Sequence, residues 1–254
     1  MMLKIISKSL LLVLILFAVS SYAQDMNPDA GKLFNEGNSL LKAGNYNGAV
    51  DKYNQALNIE KDYRIYYQKG VALKKADKLD EARIAFEECL KLSPNNEAAL
   101  NALGGTYFSM GDYNKAIETF EKVLNVSKNN SVKDKVKKNM SLAYTKLGNQ
   151  AMSSGNANKA VEYLTKATEL DKYDAAYLLL AQLYQELGQY DNSIKAAEDA
   201  LKYRSKINKG GAYYYMGLAY KGKGDMAKAK EMFNQAKGDP SYRANAEYQL
   251  GLMK

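Results

Sequence analysis

The chain has no histidine and no tryptophan, and it holds 3 prolines and one cysteine, Cys89, in 254 residues. Each shortage excludes something. Without His the usual general acid–base side chain is missing. A single Cys cannot close an internal disulfide or supply a zinc-type ligand set, so an oxidising compartment is tolerated but not exploited. Scarce Pro leaves long stretches free to be helical. Carboxylate neighbours such as Asp80-Glu81 and Glu87-Glu88 are adjacent in sequence, so on helices they diverge rather than converge on one reacting atom. Neither a calcium-loop nor an enzyme motif is present, so no catalytic residue, cofactor or metal is expected. What is abundant is Tyr, at 21 residues, within a chain that is 46% hydrophobic. That suffices for a large core of helices with aromatic knobs, although length alone does not separate one solenoid from two domains.

The first residues read differently from the rest. Lys4 and Lys8 precede an apolar run from Leu10 to Val19, and Ser21-Tyr22-Ala23 gives a small-x-small cleavage site. Residues 1–23 therefore read as a secretory signal peptide cut after Ala23, because the run is shorter than the roughly 20 residues of a membrane span. No Cys follows the run to carry a lipid. Export is expected, to a periplasm or to the outside. Removing Lys4 and Lys8 lowers the net charge from +8 to +6, a modest surplus read as solvated helix faces.

The clearest unit is Glu97 to Asn130. Its apolar residues Leu100, Leu103 and Tyr107, then Tyr113, Ile117, Phe120 and Leu124, follow helical spacing on both sides of Gly111-Asp112. Gly111 permits a positive-φ turn and Asp112 is placed to cap the second helix. Gly104 and Ala116 sit where the two helices approach closely. A hairpin of this kind cannot bury its faces alone, so recurrence at 34 residues predicts stacked copies sharing one core. The pattern Leu100, Leu103-Gly104, Tyr107, Gly111-Asp112-Tyr113, Ala116, Phe120, Val123 resembles the tetratricopeptide repeat family. The resemblance implies an all-α, right-handed α-solenoid of stacked antiparallel helix pairs.

In order, a flexible lead-in at 24–29 is followed by repeats at 30–62, 63–96 and 97–130. A basic insertion at 131–140 comes next, then repeats at 141–173, 174–207 and 210–242 and a C-terminal capping helix at 243–254. In the insertion, Val132, Val136 and Met140 continue the apolar spacing into Tyr144 and Leu147, so it lengthens a helix. Glu36 and Lys69 fall at equivalent positions of neighbouring repeats and are expected to approach. Asp77 replaces the turn glycine in the second repeat, and Ala157 the turn aromatic in the fourth. Gly210-Gly211 lowers helix propensity and predicts a slight hinge before the sixth repeat. Cys89 shares its repeat position with Ala56, Val123, Ala167, Ala200 and Ala236, which marks a buried structural thiol. Gly217 to Gly224 nearly matches a phosphate loop, but it lacks the Ser/Thr and a preceding strand, and the repeat already requires its glycines.

In the family it resembles, function lies on the concave surface lined by each repeat's first helix. Carried over, that lining is Phe34 and Asn38; Tyr67, Val71 and Lys74; Asn101 and Phe108; Thr145, Asn149 and Met152; Leu178, Gln182 and Gln185; Tyr214, Leu218 and Lys221. Aromatics mixed with amides suit a peptide, whose side chains need apolar pockets and whose backbone needs hydrogen bonds. The carboxylate clamp of chaperone-binding relatives is only half present: Asn38 and Asn149 fit, but Phe34 and Thr145 stand where Lys is needed. The expected function is non-catalytic binding of a protein or peptide in that groove, as a scaffold or adaptor. The alternative is an envelope assembly factor using Lys133, Lys135, Lys137 and Lys138 of the inserted helix against acidic protein or anionic lipid. Nucleic acid is not an expected partner, and the oligomeric state is left open.

Overall fold

The computed structural model describes residues 26–253. The signal-peptide reading of 1–23 lies outside them, as do Gln24, Asp25 and Lys254. The described residues form thirteen helices and no strand: α1 (Pro28–Lys42), α2 (Tyr46–Ile59), α3 (Tyr63–Lys75), α4 (Leu79–Leu92), α5 (Glu97–Ser109), α6 (Tyr113–Val126), α7 (Asn130–Ser153), α8 (Ala157–Leu170), α9 (Asp174–Glu186), α10 (Tyr190–Lys202), α11 (Lys209–Gly222), α12 (Met226–Ala236) and α13 (Arg243–Gly251). They stack as an α-solenoid of six hairpins closed by α13.

Each hairpin turn follows from local chemistry. Between α5 and α6, Gly111 takes φ 81° and the Asp112 carboxylate accepts the Lys115 N–H at 3.1 Å. That satisfies one of the free amides at the helix start. Asn45, Asn156 and Asp225 cap α2, α8 and α12 the same way. The second hairpin departs from this scheme. There Asp77 holds φ 61°, and Lys78 precedes α4 without a side-chain cap.

Within a hairpin the two helices touch through one small residue and one large one. A Cβ added to Gly104 would lie 2.7 Å from the Phe120 ring, so only hydrogen fits. The same sixteen-residue step joins Gly37 to Tyr53, Gly70 to Phe86, Gly148 to Leu164 and Gly217 to Phe233. In the fifth hairpin the corresponding residues are Ala181 and Ala197, both fully buried, and the Ser193 hydroxyl donates to the Ala181 carbonyl at 2.7 Å. Between hairpins the core is continuous. Leu90 and Tyr107 bridge the first two apolar clusters, Tyr144 and Tyr163 the next pair, and Tyr213 and Tyr220 the last.

The insertion is part of α7, which runs unbroken for 24 residues. α5 begins seven residues before Gly104, whereas α7 begins eighteen before Gly148, about three extra turns. Val136 and Met140 bury that extension, at 1% and 3% exposure. Two expectations are corrected. Glu36 pairs with Lys52 at 2.6 Å, not with Lys69, because Lys52 lies on the facing helix of the same hairpin. Gly210 and Gly211 serve close packing, not a hinge: a Cβ on Gly210 would come within 2.2 Å of Asp239, and one on Gly211 within 2.8 Å of the Tyr242 hydroxyl.

First helices of neighbouring hairpins touch one another, while second helices pack mainly on first helices and, at the end, on α13. The stack therefore bends with α1, α3, α5, α7, α9 and α11 on its inner side. Among the described residues, no helix is long and apolar enough to cross a membrane.

Candidate functional site: the inner face of the solenoid

The close-packing residue of each first helix sets a register for the inner face. Residues three before it, one after it and four after it fall within about 60° of one another around the helix. Relative to Gly70 these are Tyr67, Val71 and Lys74; relative to Ala181 they are Leu178, Gln182 and Gln185. The register recovers the whole lining read from the sequence and adds Leu41 and Gly105. These two were missed because one is an ordinary core-type residue and the other has no side chain, although the spacing alone points to both.

The aromatic members stand half in the core. Phe34 packs against Tyr53 with ring centroids 5.9 Å apart, Tyr67 against Phe86 at 6.0 Å and Phe108 edge-on to Tyr113 at 5.3 Å. Each is partly exposed, so packing fixes the ring while one side faces the groove. Asn38 is oriented by the fully buried Tyr53, whose hydroxyl donates to Asn38 Oδ1 at 2.8 Å. Burial pushes that phenol up to about 12, so it remains a donor at any physiological pH. Asn101 and Asn149 are exposed, and Gln182 donates to Glu186 at 2.9 Å.

Lys74 is the cation of the groove's middle. It enters no ion pair among the described residues, and its Nζ lies 3.0 Å from where a Gly105 Cβ would stand. Partial burial pushes its ammonium below the usual lysine range.

One predicted residue is buried, and three others, partly exposed, are engaged by neighbouring side chains. Thr145 is 8% exposed and its hydroxyl donates to the Ser141 carbonyl at 2.8 Å, so it belongs to the core. Lys221 donates to Gln249 of α13 at 2.8 Å. Tyr214 and Leu218 join the cluster around Phe233 and Ala246, which Leu250 and Met253 complete. The chain's last helix thus packs beside the sixth repeat's share of the face, where Tyr214, Leu218 and Lys221 stay partly exposed.

The remaining sequence candidates fall out on geometry. Lys133, Lys135, Lys137 and Lys138 fan across about 200° of α7, with Asp134 in the middle of the fan, so they form no single patch. The stretch from Gly217 to Gly224 spans the last turns of helix α11 and the hairpin turn after it, and makes no phosphate loop. Cys89 is fully buried, and burial pushes its thiol up to about 11. Among the described residues, no group of three or more Cys, Asp or Glu is gathered to hold a metal.

Comparison with known proteins follows this geometry. Models of the tetratricopeptide repeat match residues 30–63, 61–129, 140–174, 175–207 and 211–239. Among curated relatives, the Hsp70-Hsp90 organizing protein of Triticum aestivum is 30% identical over 96 residues, covering 37% of this chain and 16% of that protein. The small glutamine-rich tetratricopeptide repeat-containing protein 2 of Mycosarcoma maydis is 29% identical over 104 residues, covering 41% of this chain and 30% of that protein. The chain thus spans less than a third of the length of either relative. Of solved structures, MamA is 27% identical with a TM-score of 0.51, covering 72% of this chain and 94% of that one. YrrB, described as a tetratricopeptide repeat protein with an unusual peptide-binding site, shares the fold at 18% identity and a TM-score of 0.52, covering 78% of this chain and 97% of that one. With repeat models matched along most of its length and the hairpin stack they describe, the chain belongs to the tetratricopeptide repeat family.

Proposed function

We propose that the chain is a non-catalytic scaffold that holds an extended segment of another protein along its inner face, in an exported compartment. Tetratricopeptide repeat proteins are protein-interaction scaffolds. The observation that carries the reading is the stripe set by the close-packing register. Aromatic rings at Phe34, Tyr67 and Phe108 are fixed on one side by the core and partly exposed on the other, with amides at Asn38 and Asn101 among them and at Asn149 and Gln182 further along the same face. Rings held this way lose little entropy on binding, and the amides can pair with a peptide backbone. Unpaired Lys74 favours a segment that brings a carboxylate to the middle of the groove. The exported compartment rests on the N-terminal sequence pattern alone.

The test is an array of short peptides probed with wild type and with the Tyr67→Ala/Phe108→Ala variant. Peptides retained by wild type and lost by the variant support groove recognition. Equal retention by both would remove it.

A further inference from the structure

A second group of unpaired cations lies away from the groove, on the edge where the fourth and fifth hairpins meet the next ones. Lys172, Lys202, Arg204, Lys206 and Lys209 are all exposed, and none enters an ion pair among the described residues. Lys172 and Lys202 converge on one ring: their Nζ atoms lie 4.6 and 5.1 Å from the Tyr203 centroid. Tyr203 is held in turn by stacking on Tyr177, with centroids 5.6 Å apart and planes 28° apart. Hydrogen bonding and charge from both ammoniums draw the pKa of the Tyr203 hydroxyl down.

The loop that carries the rest is built, not loose. The fully buried Asp174 carboxylate accepts the N–H groups of Ser205 at 2.6 Å, Lys206 at 2.6 Å and Ile207 at 3.2 Å, together with the Ser205 hydroxyl at 3.2 Å. Its negative charge is spent beneath the loop. Asp199 pairs with Lys195 at 3.5 Å, and the other acids near this edge are Glu169, Asp171, Glu198 and, beside Gly210, Asp239, none of which pairs with the five cations among the described residues. Like charges gathered on a rigid support repel one another, and an anion placed among them relieves that repulsion.

We propose that Lys172, Lys202, Tyr203 and the Arg204–Lys206 turn form a binding site for a phosphate group, presented by an anionic lipid headgroup or by free phosphate. Phosphate suits the site better than one carboxylate does. Its several oxygens can take the converging ammoniums, the Arg204 fork and the Tyr203 hydroxyl together. The site is separate from the inner face and leaves it free to hold a protein segment.

Two measurements on the whole chain test this. In the first, binding to phosphatidylcholine vesicles with and without phosphatidylglycerol is measured for wild type, for Lys172→Gln/Lys202→Gln/Arg204→Gln/Lys206→Gln, and for Lys133→Gln/Lys135→Gln/Lys137→Gln/Lys138→Gln. Every variant carries the same N-terminus and is referred to its own binding on neutral vesicles. In the second, inorganic phosphate and a penta-glutamate peptide are titrated while the amide signals of Tyr203 to Asn208 are followed. The lipid source is supported if phosphatidylglycerol binding falls at least about tenfold in the first variant and stays in the second, as expected from roughly 1 kcal/mol per surface cation. Free phosphate is supported if inorganic phosphate shifts the loop amides and the vesicles do not bind. Equal losses in both variants would show a net-charge effect and overturn the site. Silence in both measurements would overturn it too, and penta-glutamate binding at least as tight as phosphate would replace it with an acidic-protein surface.

Discussion

At the scale of single residues, the hairpins rest on a few positions whose chemistry admits little choice. Asp77 occupies the left-handed turn region where the other hairpins place Gly, and L-residues pay there. Asp77→Gly should therefore raise stability by about 1 kcal/mol, read as a higher urea midpoint at unchanged slope. Gly104→Ala should do the opposite, by about 1–3 kcal/mol, because its Cβ has no room beside Phe120. Both positions were legible in the sequence, since turn and close-packing residues recur at fixed spacing. The Glu36–Lys69 pairing was not: repeat equivalence measures distance between hairpins, while Lys52 reaches Glu36 across a single one. Gly210 and Gly211 misled for a similar reason. Propensity counts what a glycine costs its own helix and cannot see Asp239 and Tyr242 filling the space above it.

At the scale of elements, the most consequential joint is the loop between α10 and α11. Burial by itself pushes the Asp174 carboxyl up, but the Lys206, Ser205 and Ile207 amides outweigh it and hold the group below the usual carboxylate range. A depressed folded-state value means that the ionised form stabilises the fold. The contribution is complete above about pH 4 and is lost as pH falls through the lower folded-state value. Asp174→Asn should cost about 1–3 kcal/mol at neutral pH. Its deficit against wild type should shrink steadily below about pH 4, in urea titrations at each pH. A deficit constant with pH would show that the carboxylate's charge is irrelevant to the loop. This joint was invisible in the sequence, because its contacts link positions 31 to 33 residues apart and depend on one buried side chain. The lengthening of α7 was legible, because Val132, Val136 and Met140 keep the apolar period across the insertion. The cover that α13 places on Lys221 was not, since a terminal helix announces that it caps without saying which side chains it takes.

At the scale of the whole molecule, curvature decides which residues can meet a partner. First helices crowd the inner side, and a stripe spaced by the close-packing register runs along them to the sixth hairpin, where Lys221 is tied to α13. The lining named from the family resemblance falls on this stripe because its positions keep the same step from each close-packing residue. It included Thr145 wrongly, because position on a helix does not reveal that this side chain is buried with its hydroxyl on the Ser141 carbonyl. The most direct measurement is the affinity of a labelled, array-selected peptide for wild type, for Tyr67→Ala/Phe108→Ala, and for the Lys133/Lys135/Lys137/Lys138→Gln variant, with folding checked by circular dichroism. Groove recognition predicts at least about a tenfold loss in the aromatic variant, since a truncated anchor ring at an interface centre is worth about 2 kcal/mol or more, and unchanged binding in the lysine variant. Unchanged affinity in the aromatic variant, with the loss falling on the lysine variant, would contradict it.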